Sequence, residues 1–323
     1  MSTRRDFLAA AGAVLAAGPS MAQSNYPDRA VRLVVPNPPG GPSDIVARLL
    51  SEHMRSTLGQ PLVVENRPGA FGLIGTAAVA NATADGYTVL VTSRSNHTMA
   101  PLVQKSTQVD PVRDLAPVGL AVRAVGVFVT NSQTGLRSLK DLIAYAKANP
   151  GKLNYGSAGI GATNHIAVEQ FKALAGIDMT HVPYKGSGPL ITGVMGNEVQ
   201  FALLDFASAQ AGTRAGSIVP LVQTGARRLA AEPEVPTLAE AGFKNFDPSF
   251  WIGLAVQAKT PAGVVQKLNQ ALNAALVQTV LKAYAQANGW EVVGGSPQVM
   301  ADTVAADMRE LPALIKRLDI KAA

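Results

Sequence analysis

Cysteine is missing from the sequence, which excludes disulfide bonds, thiol catalysis and a lipid-anchored cysteine. Charged residues make up only 15% of the 323 residues, and aromatic residues only 5%. The net charge is +6, but the chain has no run of five basic residues and no basic stripe with interleaved aromatics. We therefore expect no nucleic acid partner. Hydrophobic residues reach 47%, which indicates a globular chain that is long enough for two domains.

Residues 1–22 have the pattern of an export signal peptide. Arg4 and Arg5 precede an apolar core over residues 7–17 and a small-x-small cleavage site that ends at Ala22. Cleavage there places the mature protein in the periplasm, by either the twin-arginine or the general secretory route. The apolar core is too short to span a bilayer, and no later stretch is long and apolar enough, so we expect no membrane span in the mature chain.

Strand-like apolar runs alternate with helical patterns along the mature chain, which is typical of α/β layers with largely parallel sheets. The runs cover residues 31–35, 62–65, 87–92, 118–130, 153–155, 179–182, 199–204, 218–223 and 252–256, and the helical patterns include residues 139–148 and 264–280. A helical pattern after residue 163 places Ile166, Phe171 and Leu174 on one side. The run over residues 118–130 is long enough to cross between two lobes, and the Pro- and Gly-rich stretch 234–248 suits a return crossing. We therefore expect a discontinuous lobe 1 (residues 23–124 plus 244–323) and a lobe 2 (residues 125–243).

Two glycine-rich turns each follow a strand-like run and precede a helical pattern. The first contains Pro39, Gly40, Gly41, Ser43 and Asp44, and the second contains Ser157, Gly159, Gly161, Ala162, Thr163 and His165. Such turns expose bare backbone and direct the positive end of a helix at a ligand. Each turn alone is equally compatible with a simple connection, with Thr163 as a helix cap. Two such turns facing each other can hold one small anion.

Complete catalytic and metal-binding sets are absent from the sequence. Tyr155 stands where a nucleophile elbow needs its first glycine, and Asn164 stands where a dinucleotide fingerprint needs its third. His165 and Glu169 share a helical face, but two groups do not make a metal site. The sequence therefore predicts no catalytic residue, no metal and no cofactor.

The chain resembles the receptors of tripartite tricarboxylate transporters, the Bug family of periplasmic solute-binding proteins. The resemblance covers essentially the whole mature chain, and the order and spacing of its short motifs are specific. The motifs are Val34-Val35-Pro36 with Pro39-Gly40-Gly41 and Asp44, Glu65-Asn66-Arg67-Pro68-Gly69-Ala70, Asp85-Gly86-Tyr87, Tyr155-Gly156-Ser157 with Gly159, Gly161 and His165, Val182-Pro183-Tyr184-Lys185-Gly186, Pro236-Thr237 with Glu240-Ala241-Gly242, and Thr260-Pro261.

The resemblance implies a type II periplasmic-binding-protein fold. In this fold each of two lobes has a mixed, mostly parallel sheet flanked by helices, and the ligand lies in the cleft between them. It implies a small carboxylate ligand (a di- or tricarboxylate, an amino acid or an aromatic acid) that a monomeric receptor delivers to membrane transporter subunits without chemistry. Closure of the lobes buries the ligand. A sensor for a membrane kinase and a periplasmic enzyme acting on a carboxylate are the alternatives.

The resemblance also implies which positions bind the ligand, mainly through backbone amides, hydroxyl groups and ordered water. They are Asn37, the turn of Pro39, Gly40, Gly41, Ser43 and Asp44, the loop of Arg67, Ala70 and Phe71, the loop of Ser93, Ser95, Asn96 and His97, the turn of Ser157, Gly159, Gly161, Ala162, Thr163 and His165, and Asp205. We expect the hydroxyl groups of Ser157 and Thr163 to contact the carboxylate directly.

Several residues depart from the family pattern. Asn37 stands where the family usually has an aromatic residue that covers the ligand, and Phe71 and Leu73 replace small and polar residues. The loop over residues 93–97 is unusually polar and basic, which makes Arg94 and His97 candidates for ligand contact.

Two charged candidates have alternative structural roles. Arg67 can reach a carboxylate or pair with Glu65. Asp205 can hold an ammonium or hydroxyl group of the ligand, or it can cap the helix beyond it.

Overall fold

The structure, a computed structural model, describes residues 26–104, 109–244, 246 and 248–320, so the predicted signal peptide lies outside the described residues. Its strands, in chain order, are β1 (Val31–Val35), β2 (Leu62–Asn66), β3 (Thr88–Ser93), β4 (Leu115–Ala124), β5 (Gly126–Asn131), β6 (Asn154–Ser157), β7 (Thr180–Pro183), β8 (Phe201–Asp205), β9 (Ile218–Gln223), β10 (Phe250–Gln257) and β11 (Trp290–Val292). The sequence patterns missed β11, which has only three residues.

Its α-helices are α1 (Pro42–Leu58), α2 (Leu73–Ala80), α3 (Ala100–Val103), α4 (Pro111–Asp114), α5 (Leu139–Ala148), α6 (Thr163–Ala175), α7 (Ser187–Met195), α8 (Phe206–Arg214), α9 (Ala262–Leu276), α10 (Thr279–Ala287) and α11 (Pro297–Arg317). Short 3₁₀ helices lie at Ala70–Gly72 and Ser132–Thr134, and a π-helical turn lies at Ser95–Met99. The helical pattern predicted over residues 264–280 is interrupted after Leu276, and α10 begins at Thr279.

Two separate sheets divide the structure into a first lobe and a second lobe. The first lobe contains a six-stranded sheet in the order β11-β4-β10-β3-β1-β2, and the second a five-stranded sheet in the order β7-β6-β8-β5-β9. The chain leaves the first sheet at Ala124 and enters the second at Gly126. The two-lobed α/β fold is thereby confirmed, while the end points of each lobe stay a prediction.

Both sheets are mixed. The pairs β1–β2, β1–β3, β6–β7 and β6–β8 are parallel, and the pairs made by β4, β5 and β10 are antiparallel. Parallel pairs therefore do not outnumber antiparallel ones, contrary to the expectation of mostly parallel sheets. The reason is that β4 and β5 carry the chain out of one lobe and into the other, and β10 returns it.

Aromatic packing forms the core of the second lobe. The rings of Phe128, Phe171 and Phe201 have centroids 5.2, 5.5 and 5.9 Å apart. Ile166 is buried as its helical pattern predicts, whereas Leu174 is 55% exposed. The last turn of α6 lies at the surface, so Leu174 is not buried with Ile166 and Phe171.

An apolar cluster joins the two lobes beside the cleft. It contains Met99 and Val103 from the first lobe, Ile166 from α6, and Leu311 and Ile315 from the last helix, α11. Because these side chains are buried together, they hold the segment after β3 against the start of α6.

A buried ion pair fixes the same segment to α11. Asp307 lies 2.8 Å from the Arg94 guanidinium, and its carboxylate also accepts hydrogen bonds from the Thr98 hydroxyl and the Trp251 indole, at 3.1 and 3.0 Å. Arg94 also donates to the carbonyl of Ser249. Asp307, on the last helix α11, thus holds residues 93–97 in place.

We expect Asp307→Ala to lower the free energy of unfolding by about 3–5 kcal/mol, because it leaves the Arg94 guanidinium buried without its partner. Urea denaturation measures this change. Asp302→Ala on the exposed side of the same helix is the control and should change stability by less than about 0.5 kcal/mol. Equal effects of the two variants would contradict the assigned role of Asp307.

Candidate functional site

The predicted site residues come together where the two lobes meet. In each lobe they follow parallel strands, β1 and β3 in the first and β6 and β8 in the second. Loops at the carboxyl ends of such strands form the usual ligand crevice of open α/β sheets. The site is therefore a cleft between two sets of strand-to-helix turns.

The start of α6 lacks a capping side chain of its own, since Ala162 occupies the N-cap position. The first lobe supplies the cap: the Ser95 hydroxyl oxygen accepts a hydrogen bond from the Thr163 N–H at 3.1 Å and lies 2.9 Å from the Thr163 hydroxyl. The N–H groups of Asn164 and His165 have no partner among the described residues. The helix start thus presents several donors at one point of the cleft.

The glycines of this turn allow close approach from the first lobe. Gly159 has a φ of +137°, and a Cβ there would lie 2.1 Å from a carbon of the Phe71 ring. Gly161 has a φ of +86°, and a Cβ there would lie 3.0 Å from Val103. Both positions therefore require glycine for their backbone conformation and for the contact across the cleft.

The Ser157 side chain lies below the turn and does not face the cleft. It is fully buried, its hydroxyl lies 2.7 Å from His181 Nε2, and it accepts a hydrogen bond from the Gly159 N–H at 3.1 Å. This hydroxyl therefore holds the backbone of the turn, and its expected direct contact with a ligand stays a prediction.

Two stacked imidazoles support the turn from beneath. The His165 and His181 rings lie 4.0 Å apart at an angle of 12°, and His165 Nδ1 accepts the Gly161 N–H at 3.0 Å. Burial lowers the pKa of His165 to about 3 and that of His181 to about 4. Both rings are therefore neutral at pH 7. No local sequence pattern indicates that His181 belongs here, because its contact depends on the pairing of β6 with β7.

The first-lobe turn around α1 is held by Asp44. Its carboxylate accepts hydrogen bonds from the Gly40 N–H and from Arg48 at 3.0 Å, and from the Asn66 amide at 2.9 Å. Burial opposes ionisation, but the hydrogen bonds from Arg48, Gly40 and Asn66 outweigh it and lower the pKa of Asp44. A protein carboxylate thus already binds the Gly40 N–H just before the start of α1.

Within residues 93–97, some side chains are buried in the core and others lie at the cleft. His97 is buried, lies 3.1 Å from the Thr92 hydroxyl and packs beside the Trp251 ring, and burial lowers its pKa to about 4. Arg94 is bound to Asp307, so both basic residues of this segment have partners inside the protein, and their contact with a ligand stays a prediction. Ser95 reaches the cleft.

Two unpaired polar atoms mark the first-lobe side of the cleft. Asn96 is 1% exposed, and its Oδ1 accepts from Thr92 and from the Ser93 N–H, yet its Nδ2 has no partner among the described residues. Asn37 Oδ1 is likewise buried without a partner in the described chain. Leaving a buried donor such as Asn96 Nδ2, or a buried acceptor such as Asn37 Oδ1, without a partner costs about 1–3 kcal/mol, which makes both atoms candidates for ligand contact.

Arg67 and Asp205 have structural partners. The Arg67 guanidinium lies 2.5 Å from Glu65, and Asp205 accepts a hydrogen bond from the Ser208 N–H at 3.0 Å as the N-cap of α8. Burial raises the pKa of Asp205, and its hydrogen bonds from Ser208 partly offset that effect. The structure therefore shows the pairing and capping roles for these residues.

No group of three or more histidine, aspartate or glutamate residues within the described segments could hold a metal ion. None of the helices described is long and apolar enough to cross a bilayer. The geometry defines a two-lobed binding protein whose cleft offers backbone N–H groups, hydroxyl groups and a side-chain amide.

The comparisons with known proteins agree with this class. The model of the tripartite tricarboxylate transporter family receptor matches residues 46–320. Protein BugT of Bordetella pertussis is 34% identical over 321 residues, which cover 98% of this chain and 96% of BugT. The chain therefore belongs to the tripartite tricarboxylate transporter receptor family, as its motifs indicated.

Two solved structures from Rhodopseudomonas palustris are similar to this chain. One, determined with adipate, has a TM-score of 0.87 and 33% identity and covers 92% of this chain and 99% of its own. The other, MatC with bound malate, has a TM-score of 0.83 and 30% identity and covers 90% of this chain and 100% of its own. Both similarities extend over the two lobes.

The buried histidines predict that stability falls on acidification. Because their pKa values in the folded protein lie below the unfolded value of about 6.5, the unfolded chain binds protons first. Stability should be complete above about pH 6.5 and decrease toward pH 4, by up to about 1.4 kcal/mol per pH unit for each buried imidazole. Urea denaturation at pH 7 and 5 measures the loss, and His181→Gln should reduce the pH dependence. Equal stability at both pH values would contradict the buried neutral state.

Proposed function

We propose that this chain is a periplasmic receptor that captures a small carboxylate between its lobes and delivers it to the membrane subunits of a tripartite tricarboxylate-type transporter. One observation carries the proposal: an oxygen atom from the first lobe, Ser95 Oγ, already accepts hydrogen bonds at the start of α6. A carboxylate oxygen is a stronger acceptor for the same donors, because hydrogen bonds to a charged group are stronger than neutral ones.

The ligand's carboxylate takes the place of the Ser95 hydroxyl at Thr163 and also accepts from the free N–H groups of Asn164 and His165. From the first lobe, Asn96 Nδ2 donates to the ligand, either directly or through water, and Asn37 Oδ1 accepts from it. The remaining predicted positions shape this space. They are Pro39, Gly40, Gly41, Ser43, Asp44, Arg67, Ala70, Phe71, Ser93, His97, Ser157, Gly159, Gly161, Ala162 and Asp205.

The proposal includes export and domain organisation. A signal peptide cleaved after Ala22 directs a monomeric chain to the periplasm. Lobe 1 comprises residues 23–124 plus 244–323, and lobe 2 comprises residues 125–243. The receptor binds and releases without chemistry or cofactor, and closure of the lobes presents the bound form to the transporter. Adipate and malate, found with the two relatives, support a carboxylate ligand.

Calorimetry against mono-, di- and tricarboxylates tests the proposal, and at least one should bind tightly. Incubating the bound carboxylate with the protein and measuring its recovery separates a receptor from an enzyme. Full recovery is the expected result. Conversion to a product would replace the proposal with a periplasmic enzyme, and failure of every carboxylate to bind would overturn it.

Thr163→Val should weaken binding of the tightest carboxylate roughly tenfold to a hundredfold, since it removes one hydroxyl donor to a charged group. Thr192→Val is the matched control, because Thr192 lies in the same lobe but is exposed on α7. Calorimetry on both variants measures the difference. Unchanged affinity in Thr163→Val would place the carboxylate elsewhere.

Asn96→Asp tests the contribution of the first lobe. The aspartate keeps an oxygen for the Thr92 hydroxyl and the Ser93 N–H but replaces the Nδ2 donor with a negative oxygen. Carboxylate affinity should fall by more than roughly tenfold. Melting of the ligand-free variant shows whether the fold is intact, and full affinity in a folded variant would remove Asn96 from the site.

A further inference from the structure

We propose that the ring of Phe71 forms one wall of the ligand space and selects carboxylates that have a single carboxyl group and a flat apolar body. This inference rests on the proposed function and names the ligand class for the same cleft. It depends on the place of the ring, the backbone that holds it, and the charges around it.

The Phe71 ring extends from the first lobe across the cleft and contacts the second lobe. A Cβ at Gly159 would come within 2.1, 2.9 and 3.2 Å of three Phe71 ring carbons, so the ring packs on the bare backbone of the second-lobe turn. That turn leads directly into the start of α6, where Thr163 is the proposed carboxylate contact. A ligand bound there must therefore place the rest of its body beside the Phe71 ring.

The backbone at this position is strained in a way that keeps the ring in the cleft. Ala70 and Phe71 both have positive φ, at 45° and 54°, and neither is a glycine. Left-handed backbone is unfavourable for residues that carry a Cβ, and such strain clusters at ligand-binding sites. The loop thus holds an aromatic side chain in a conformation that glycine would adopt more easily.

The charges nearby argue against a second carboxylate. The arginines on the first-lobe side already bind carboxylates of the protein: Arg48 binds Asp44, Arg67 binds Glu65, and Arg94 binds Asp307. Asp44 also accepts the hydrogen bond of the Gly40 N–H, just before the start of α1. The apolar face of Phe71 is what remains for the body of the ligand, and aromatic rings pair well with a flat apolar group.

The test is calorimetry of the full mature chain against benzoate, phenylacetate, adipate and malate. The parent should bind benzoate or phenylacetate most tightly. Phe71→Gly should weaken that binding by roughly tenfold or more and leave adipate and malate unchanged or tighter. Asn197→Gly is the control, because Asn197 is another left-handed residue, with a φ of 60°, that lies outside the proposed site. It relaxes the backbone without removing a ring and should keep the ranking of the parent.

The outcomes separate this inference from the proposed function. Tightest binding of adipate or malate by the parent, or the same ranking in parent and Phe71→Gly, would overturn the role of Phe71 and leave a carboxylate receptor. No binding of any of the four acids or of tricarboxylates would overturn both. Melting of the ligand-free variants confirms that each is folded before its affinities are compared.

Discussion

The start of α6 cannot satisfy its own N–H groups, and the rest of the site depends on this constraint. Ala162 offers no oxygen at the N-cap position, so the donors at Thr163 must find an acceptor outside the helix. In the structure that acceptor is Ser95 from the other lobe. Because the first lobe caps the helix, the contact between the lobes and the binding of any other acceptor in the cleft use the same N–H group.

The contacts at the start of α6 are made by a backbone N–H and hydroxyl groups rather than by charged side chains. The histidines beneath the turn are neutral, because burial makes their protonation unfavourable. The helix start contributes the equivalent of roughly half a charge. A partial charge attracts a carboxylate without the desolvation cost of a buried lysine or arginine, which suits a receptor that must also release its ligand.

Local patterns predicted most of the fold, and they predicted the site only where its residues are neighbours in sequence. Strand β9 and helix α5 have the predicted bounds, and the turn before α6 was recognised from its glycines. Contacts between distant residues were not predictable. The pairing of His181 with Ser157 depends on strand register, and the pairing of Arg94 with Asp307 depends on the return of the chain to the first lobe. The internal partners of Arg94 and His97 were therefore not predictable from residues 93–97 alone.

In the proposed complex, the shared donors at Thr163 also set the strength of ligand binding. A bound carboxylate gains hydrogen bonds of about 1.5–3 kcal/mol each but displaces a neutral one of about 0.5–1.5 kcal/mol from Ser95. The net free energy gained at each shared donor is thus smaller than the full energy of its hydrogen bond to the carboxylate. Discrimination must then come from the rest of the ligand, which in this proposal lies beside the Phe71 ring. For this reason the side chain at position 71, more than the anion-binding turn, decides which acid the cleft accepts.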